Sequence, residues 1–101
     1  VSAHFNDLTA AQAERLAFLV EEIGEALHAA GKVLRHGYES SNPMLHDGPT
    51  NRVALAEELG HVEAAIQMLK DELDVSAVAI EIARSGKVRD VRRWMHHQRK
   101  G

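Results

Sequence analysis

The step between successive apolar residues is what most limits the fold of this chain. From Leu16 they recur at Leu19, Val20, Ile23, Leu27, Ala30 and Leu34, mostly three or four apart. That spacing lines them along one face of an α-helix and does not fit the two-residue alternation of a half-buried strand. Thr9 and Gln12, just ahead of the run, have the spacing of a capping box, so the helix is expected to start near Thr9. Gly37 is its expected stop. A second helix is expected over residues 51–73, with Thr50 as N-cap and Leu55, Leu59, Val62, Ile66, Leu69 and Leu73 as its stripe. A third, capped by Asp74 or Ser76, is expected to reach about His97 through Val78, Ile82, Val88, Val91 and Met95. Gly86 is expected to weaken, kink or break it. Residues 37–50 hold two glycines and two prolines among short polar residues, which predicts a loop, and a long one for a compact domain.

Three helices in 101 residues predict one all-α domain with little core of its own. A helical hairpin plus a third helix, completed into a four-helix-bundle core as a homodimer or homotetramer, is the expected architecture. The chain has no cysteine, which excludes disulfides, thiolate metal sites and thiol nucleophiles. No apolar run approaches the roughly 20 residues that span a bilayer, so no membrane partner is expected. The start, Val1-Ser2-Ala3-His4-Phe5-Asn6, does not read as a signal peptide, and its lack of an initiator methionine reads as a processed or trimmed start. A cytoplasmic location is expected. The net charge of −3 conceals a basic end, with Arg84, Lys87, Arg89, Arg92, Arg93, Arg99 and Lys100 against one acid, Asp90. Such a run is a solvated helix face, a phosphate contact or a docking strip for an acidic second subunit.

Chemistry concentrates in two places. Glu21, Glu22 and Glu25 crowd one side of the first helix at spacings of three and four, and like charges so placed repel. Glu58 and His61 repeat the three-residue spacing beside the stripe of the second helix, after Glu57. If the two helices are antiparallel neighbours, three carboxylates and an imidazole converge. Carboxylate oxygens suit hard cations such as magnesium or manganese.

The pattern Glu21-Glu22-x-x-Glu25 followed by Glu58-Leu59-Gly60-His61-Val62 resembles the EExxE…ExxD signature of the all-α nucleotide pyrophosphohydrolases, the group of MazG, the dimeric dUTPases and phosphoribosyl-ATP pyrophosphohydrolase. The resemblance spans roughly residues 8–98. Lys32-Val33-Leu34-Arg35-His36-Gly37-Tyr38-Glu39-Ser40, the Asn51-Arg52 pair and the closing His96-His97-Gln98 look like phage-type MazG-like proteins in particular. For a phage-encoded protein, the compartment would be the host cytoplasm. Two departures stand out. His61 occupies the place of the family's aspartate, and the interval between the motifs is longer than usual, which the 37–50 loop accounts for.

The resemblance implies hydrolysis of a nucleoside triphosphate to the monophosphate and pyrophosphate. Magnesium, or manganese, would be held by Glu22, Glu25, Glu58 and His61. Glu21 would orient the attacking water or act as its base, giving Glu21, Glu22, Glu25 and Glu58 as catalytic residues. Lys32, Arg35, Lys87 and Arg93 are the expected phosphate contacts, Lys32 foremost. Tyr38 is placed to stack on a base, and Ser40, Asn42 and Asn51 to read its edge. A guanine nucleotide such as dGTP is the favoured substrate. Two other readings stay open. A di-iron or di-manganese carboxylate bundle would take Glu25 and Glu58-x-x-His61 from each of two subunits. A non-enzymatic helical module would bind nucleic acid through its basic end, against which the acidic body weighs.

Overall fold

The computed structural model describes residues 6–44 and 47–99. Val1–Phe5 of the start, Leu45 and His46 of the loop, and Lys100 of the basic run lie outside the described residues. The described chain is all-helical: α1 (Ala10–His36), α2 (Asn51–Asp71) and α3 (Ala77–Val91). Two compact units divide it, Val1–Leu69 and Lys70–Gly101.

The first unit is a helical hairpin. Its entry is the expected capping box: the Gln12 backbone N–H donates to Thr9 Oγ1 at 3.1 Å, and the Thr9 N–H donates to Gln12 Oε1 at 2.9 Å. Two of the orphan donors at the helix start are thereby satisfied. At the other end Gly37 takes a positive φ of 87° and its N–H returns to the Val33 carbonyl at 2.7 Å. Thr50 caps α2, its Oγ1 accepting from the Val53 N–H at 3.3 Å.

The 37–50 connection is a loop, as expected, but a stitched one. Ser41 and Thr50 form a single antiparallel bridge. The Asn51 N–H donates to the Ser40 carbonyl at 2.8 Å, and the Arg52 N–H to the Tyr38 carbonyl at 2.9 Å. Its two ends are therefore tied to one another at the mouth of the hairpin.

The apolar stripe of α1 does not become the core of the hairpin. Among the described residues, those buried in α1 are Glu22 and Ala29, seven apart and so nearly superposed along one side of the helix. In α2 they are Ala65 and Leu69. Small residues let the helices approach, while Val20, Leu27 and Leu34 remain 70%, 69% and 89% exposed. Burying a side chain of that size ordinarily stabilises a fold by about 1.5–3 kcal/mol, a gain the single chain does not take at these positions.

Both later helices end sooner than their periodicity predicts. α2 stops at Asp71, two residues short, because Leu73 adopts a left-handed φ of 58° and its N–H turns back to the Lys70 carbonyl. Leu73 is consequently 86% exposed and off the stripe. Ser76, rather than Asp74, caps α3, its Oγ accepting from the Ala79 N–H at 3.1 Å. α3 runs through Gly86 without the break expected there, but stops at Val91, six residues before His97. Beyond it the Arg93, Trp94 and Met95 N–H groups bond three residues back in tight turns, which leaves Met95 outside the helix. The basic end is partly self-neutralised. Arg84 pairs with Glu81, and Arg89 and Arg93 share Asp90.

Candidate metal centre

The hairpin brings together the four groups singled out by spacing. One ligand atom from each of Glu22, Glu25, Glu58 and His61 lies within 4.8 Å of the other three. Each helix contributes one three-residue pair, whose members project from the same side on successive turns. Glu22 lies on the line that also buries Ala29, so the helix contact itself fixes it at the interface, 9% exposed. Glu58 is half-buried, and Glu25 and His61 are open to solvent.

His61 Nδ1 stands 3.6 Å from Glu22 Oε2 and 3.6 Å from Glu58 Oε2. That separation meets an ion-pair distance, yet it is too long for a hydrogen bond, and the pairing is ionic only while the imidazole is protonated. The two oxygens facing His61, Glu22 Oε2 and Glu58 Oε2, are buried without a hydrogen-bond partner. An unpartnered buried acceptor costs about 1–3 kcal/mol, more when it is charged. Glu25 is pushed above its ordinary value of 4.5. The first cause is a hydrogen bond with Glu58, followed by the charges of Glu22 and Glu58, then desolvation and the charge of Glu21. The cluster thus carries more negative charge than the protein around it neutralises.

These observations fit a hard divalent cation. Around magnesium, oxygen ligands at about 2.1 Å sit roughly 3.0–4.2 Å from one another, close to the span of the four groups. Orphaned carboxylate oxygens supply the hard donors, and the imidazole beside them suits manganese as well. Glu21 is exposed, and it acts on the cluster through its charge on Glu25.

The other expected residues separate into two groups. Lys32, Arg35, Ser40, Asn42 and Asn51 line one cavity of about 670 Å³ between the last turns of α1, the loop and the start of α2. The stitching commits part of their polar edge: Asn51 Nδ2 donates to the Gly37 carbonyl at 3.1 Å, and Asn42 Oδ1 accepts from the Met44 N–H at 2.9 Å. Tyr38 is not among the residues lining the cavity. The Arg52 guanidinium lies 4.4 Å from its ring centroid and is anchored by Glu39 Oε1 at 2.6 Å, so one face expected to receive a base is already covered. Lys87 and Arg93 belong to the second unit, where Arg93 is paired with Asp90. His28 and His36, which also line the cavity, were not anticipated from the sequence. The available signal was their spacing, since residues 28, 32, 35 and 36 repeat the helical step that marks the cluster.

No protein-family model, no curated protein and no solved structure matches the chain. Among the described residues no helix is long and apolar enough to cross a membrane.

Proposed function

We propose that the chain hydrolyses a nucleoside triphosphate to the monophosphate and pyrophosphate, using a divalent cation held by Glu22, Glu25, Glu58 and His61. The observation that carries this reading is the pair of buried, unpartnered carboxylate oxygens, one from each helix of the hairpin and each 3.6 Å from His61, beside a third carboxylate with a raised pKa. The resemblance of the two acidic motifs to the MazG-like enzymes supplies the reaction class. Magnesium or manganese bound there would neutralise phosphate oxygens and acidify a water.

The chain's own groups divide the remaining work. Glu22 and Glu58, fixed by the helix contact, hold position. Glu21, beside the ligands but not one of them, is the group we assign to orient the attacking water or act as its base. The water oxygen bonds to the α-phosphorus. The bond from that phosphorus to the bridging oxygen breaks, pyrophosphate leaves with the electron pair, and the proton of the water passes through a carboxylate to solvent. Lys32 and Arg35 supply fixed positive charge for the phosphates. A guanine deoxynucleotide is the substrate we favour. A homo-oligomer that covers Val20, Leu27 and Leu34 is part of the proposal, because their exposure on one long helix is the usual mark of a bundle face awaiting a partner.

Pyrophosphate release from a panel of ribo- and deoxynucleoside triphosphates, with magnesium, manganese or chelator, tests the reading. Monophosphate product that disappears with chelator is expected. Silence across the panel with both metals, together with iron in the protein as isolated, would replace it with the di-iron carboxylate reading.

A further inference from the structure

The cavity at the end of α1 has a sign. Lys32 and Arg35 line it together with His28 and His36, and no carboxylate does. Cations at a helix C-terminus are ordinary, since they answer the partial negative charge of the last carbonyls. Four arginines elsewhere differ in one respect: Arg52, Arg84, Arg89 and Arg93 each face a carboxylate within ion-pair distance. Lys32 and Arg35 face none among the described residues, although acids are more numerous than cations in this chain. Two permanent cations therefore border one hollow with no counter-charge.

The hollow is also in line with the carboxylate cluster. Lys32 follows Glu25 by seven residues, and Asn51 precedes Glu58 by seven. Seven residues are close to two helical turns, so each pair projects from nearly the same side, about 10 Å apart along the axis. The cluster and the hollow thus succeed each other along the hairpin, one negative and one positive.

We infer that this hollow binds the pyrophosphate end of the substrate, so that the phosphate tail points toward the loop and the nucleoside points away from it. The inference rests on the proposed reaction and adds a direction to it. The chemistry favours this polarity. When the bridging bond breaks, negative charge grows on the departing pyrophosphate, and unneutralised Lys32 and Arg35 meet it with charge-assisted hydrogen bonds. A volume of about 670 Å³ accommodates such a group with its water. A base would find poorer terms here, because Asn51 Nδ2 and Asn42 Oδ1 already serve the backbone and Tyr38 lies under Arg52.

Calorimetric titration of the full chain with inorganic pyrophosphate, in chelator, tests the site without calling on turnover. Pyrophosphate is expected to bind the metal-free protein. Lys32→Ala with Arg35→Ala is expected to weaken it by about tenfold to a hundredfold, the worth of charge-assisted hydrogen bonds. Arg92→Ala with Arg99→Ala, a matched loss of two charges in the second unit, is expected to leave binding unchanged. Alanine favours helix, and unchanged circular dichroism would show that the double variant is folded. No binding of pyrophosphate, binding indifferent to the double variant, or binding of an uncharged nucleoside at the same hollow would overturn the inference. With magnesium and substrate, a rise in both KM and the pyrophosphate inhibition constant in the double variant would place the intact tail there. A rise in the inhibition constant alone would place the released product there. Movement of neither would overturn the assignment.

Discussion

Two acidic clusters in this chain are built from similar residues and do opposite things. In the second unit Glu81 accepts from Arg84 and Ser85, which holds its carboxyl down at about 2, and Asp90 is held below its ordinary value by Arg89 and its neighbouring cations. In the hairpin Glu25 is driven the other way by Glu58, Glu22 and Glu21. One set is settled by near neighbours in sequence, because a cation three residues on can reach each acid. The other is assembled from two helices, and the imidazole that stands 3.6 Å from two of its carboxylates answers them only while it is protonated. An acid cluster in a sequence is thus uninformative until its counter-charges are placed. Acids that remain unanswered at a helix interface are the ones that ask for an ion.

The largest effect by which this contrast can be broken is on turnover. Glu22→Gln or Glu58→Gln is expected to lower kcat/KM by on the order of 10²–10³-fold, the several kcal/mol of charge stabilisation that a lost cation would take with it. Glu81→Gln should leave kcat/KM alone. If the two helices' variants behave alike, the contrast is wrong.

A smaller effect separates charge from fold. Magnesium at about a hundred times its dissociation constant should stabilise the protein by about 2.7 kcal/mol, read as a rise in thermal midpoint over chelator. Glu25→Gln removes one of the repelling charges, so it should raise the midpoint in chelator and shrink the magnesium increment. A variant that destabilises in chelator would mean that Glu25 is held by structure rather than strained by its neighbours.

The smallest effect is in pH, and its sign differs between the regions. Glu81 binds its proton less readily folded than unfolded, so its contribution is present above about 4.5 and is lost as pH falls toward 2. Glu25 binds its proton more readily when folded, so metal-free protein should lose stability as pH rises from 4.5 through the raised value. Both groups are solvent-exposed, which keeps the amplitudes small. Urea midpoints across that range, for the parent and for each Gln variant, should show the two slopes vanish separately.

How far the sequence foretold these regions depends on how local each feature is. The Thr9–Gln12 box is decided within four residues and was legible, and the cap of α3 was narrowed to Asp74 or Ser76. So were Glu22, Glu25, Glu58 and His61, because helical spacing fixes each pair and antiparallel packing is enough to join them. The ends of α2 and α3 were not legible. Apolar periodicity continues through Leu73 and Met95, whereas the backbone turns away at a left-handed Leu73 and a run of tight turns after Val91. Neither was the role of Tyr38, which depends on Arg52 reaching back across a loop whose closure leaves no mark in composition. The stripe of Leu27 and Leu34 was read correctly as a face, but not for what the face meets within one chain.

The stitched loop also has a bearing on the order of folding. Its ties, such as Asn51 to Gly37, join residues only 14 apart, whereas Glu22 and His61 are about forty apart in sequence. Short closures are fast, on the order of 10–100 ns for a ten-residue loop, and each longer contact waits on the chain entropy of the shorter ones. The hairpin should therefore zip from the loop end, with the cavity taking shape first and the carboxylates meeting last against their own repulsion. A divalent ion would then act mainly on that late encounter, and stopped-flow refolding in magnesium and in chelator would reveal which limb of the chevron it moves.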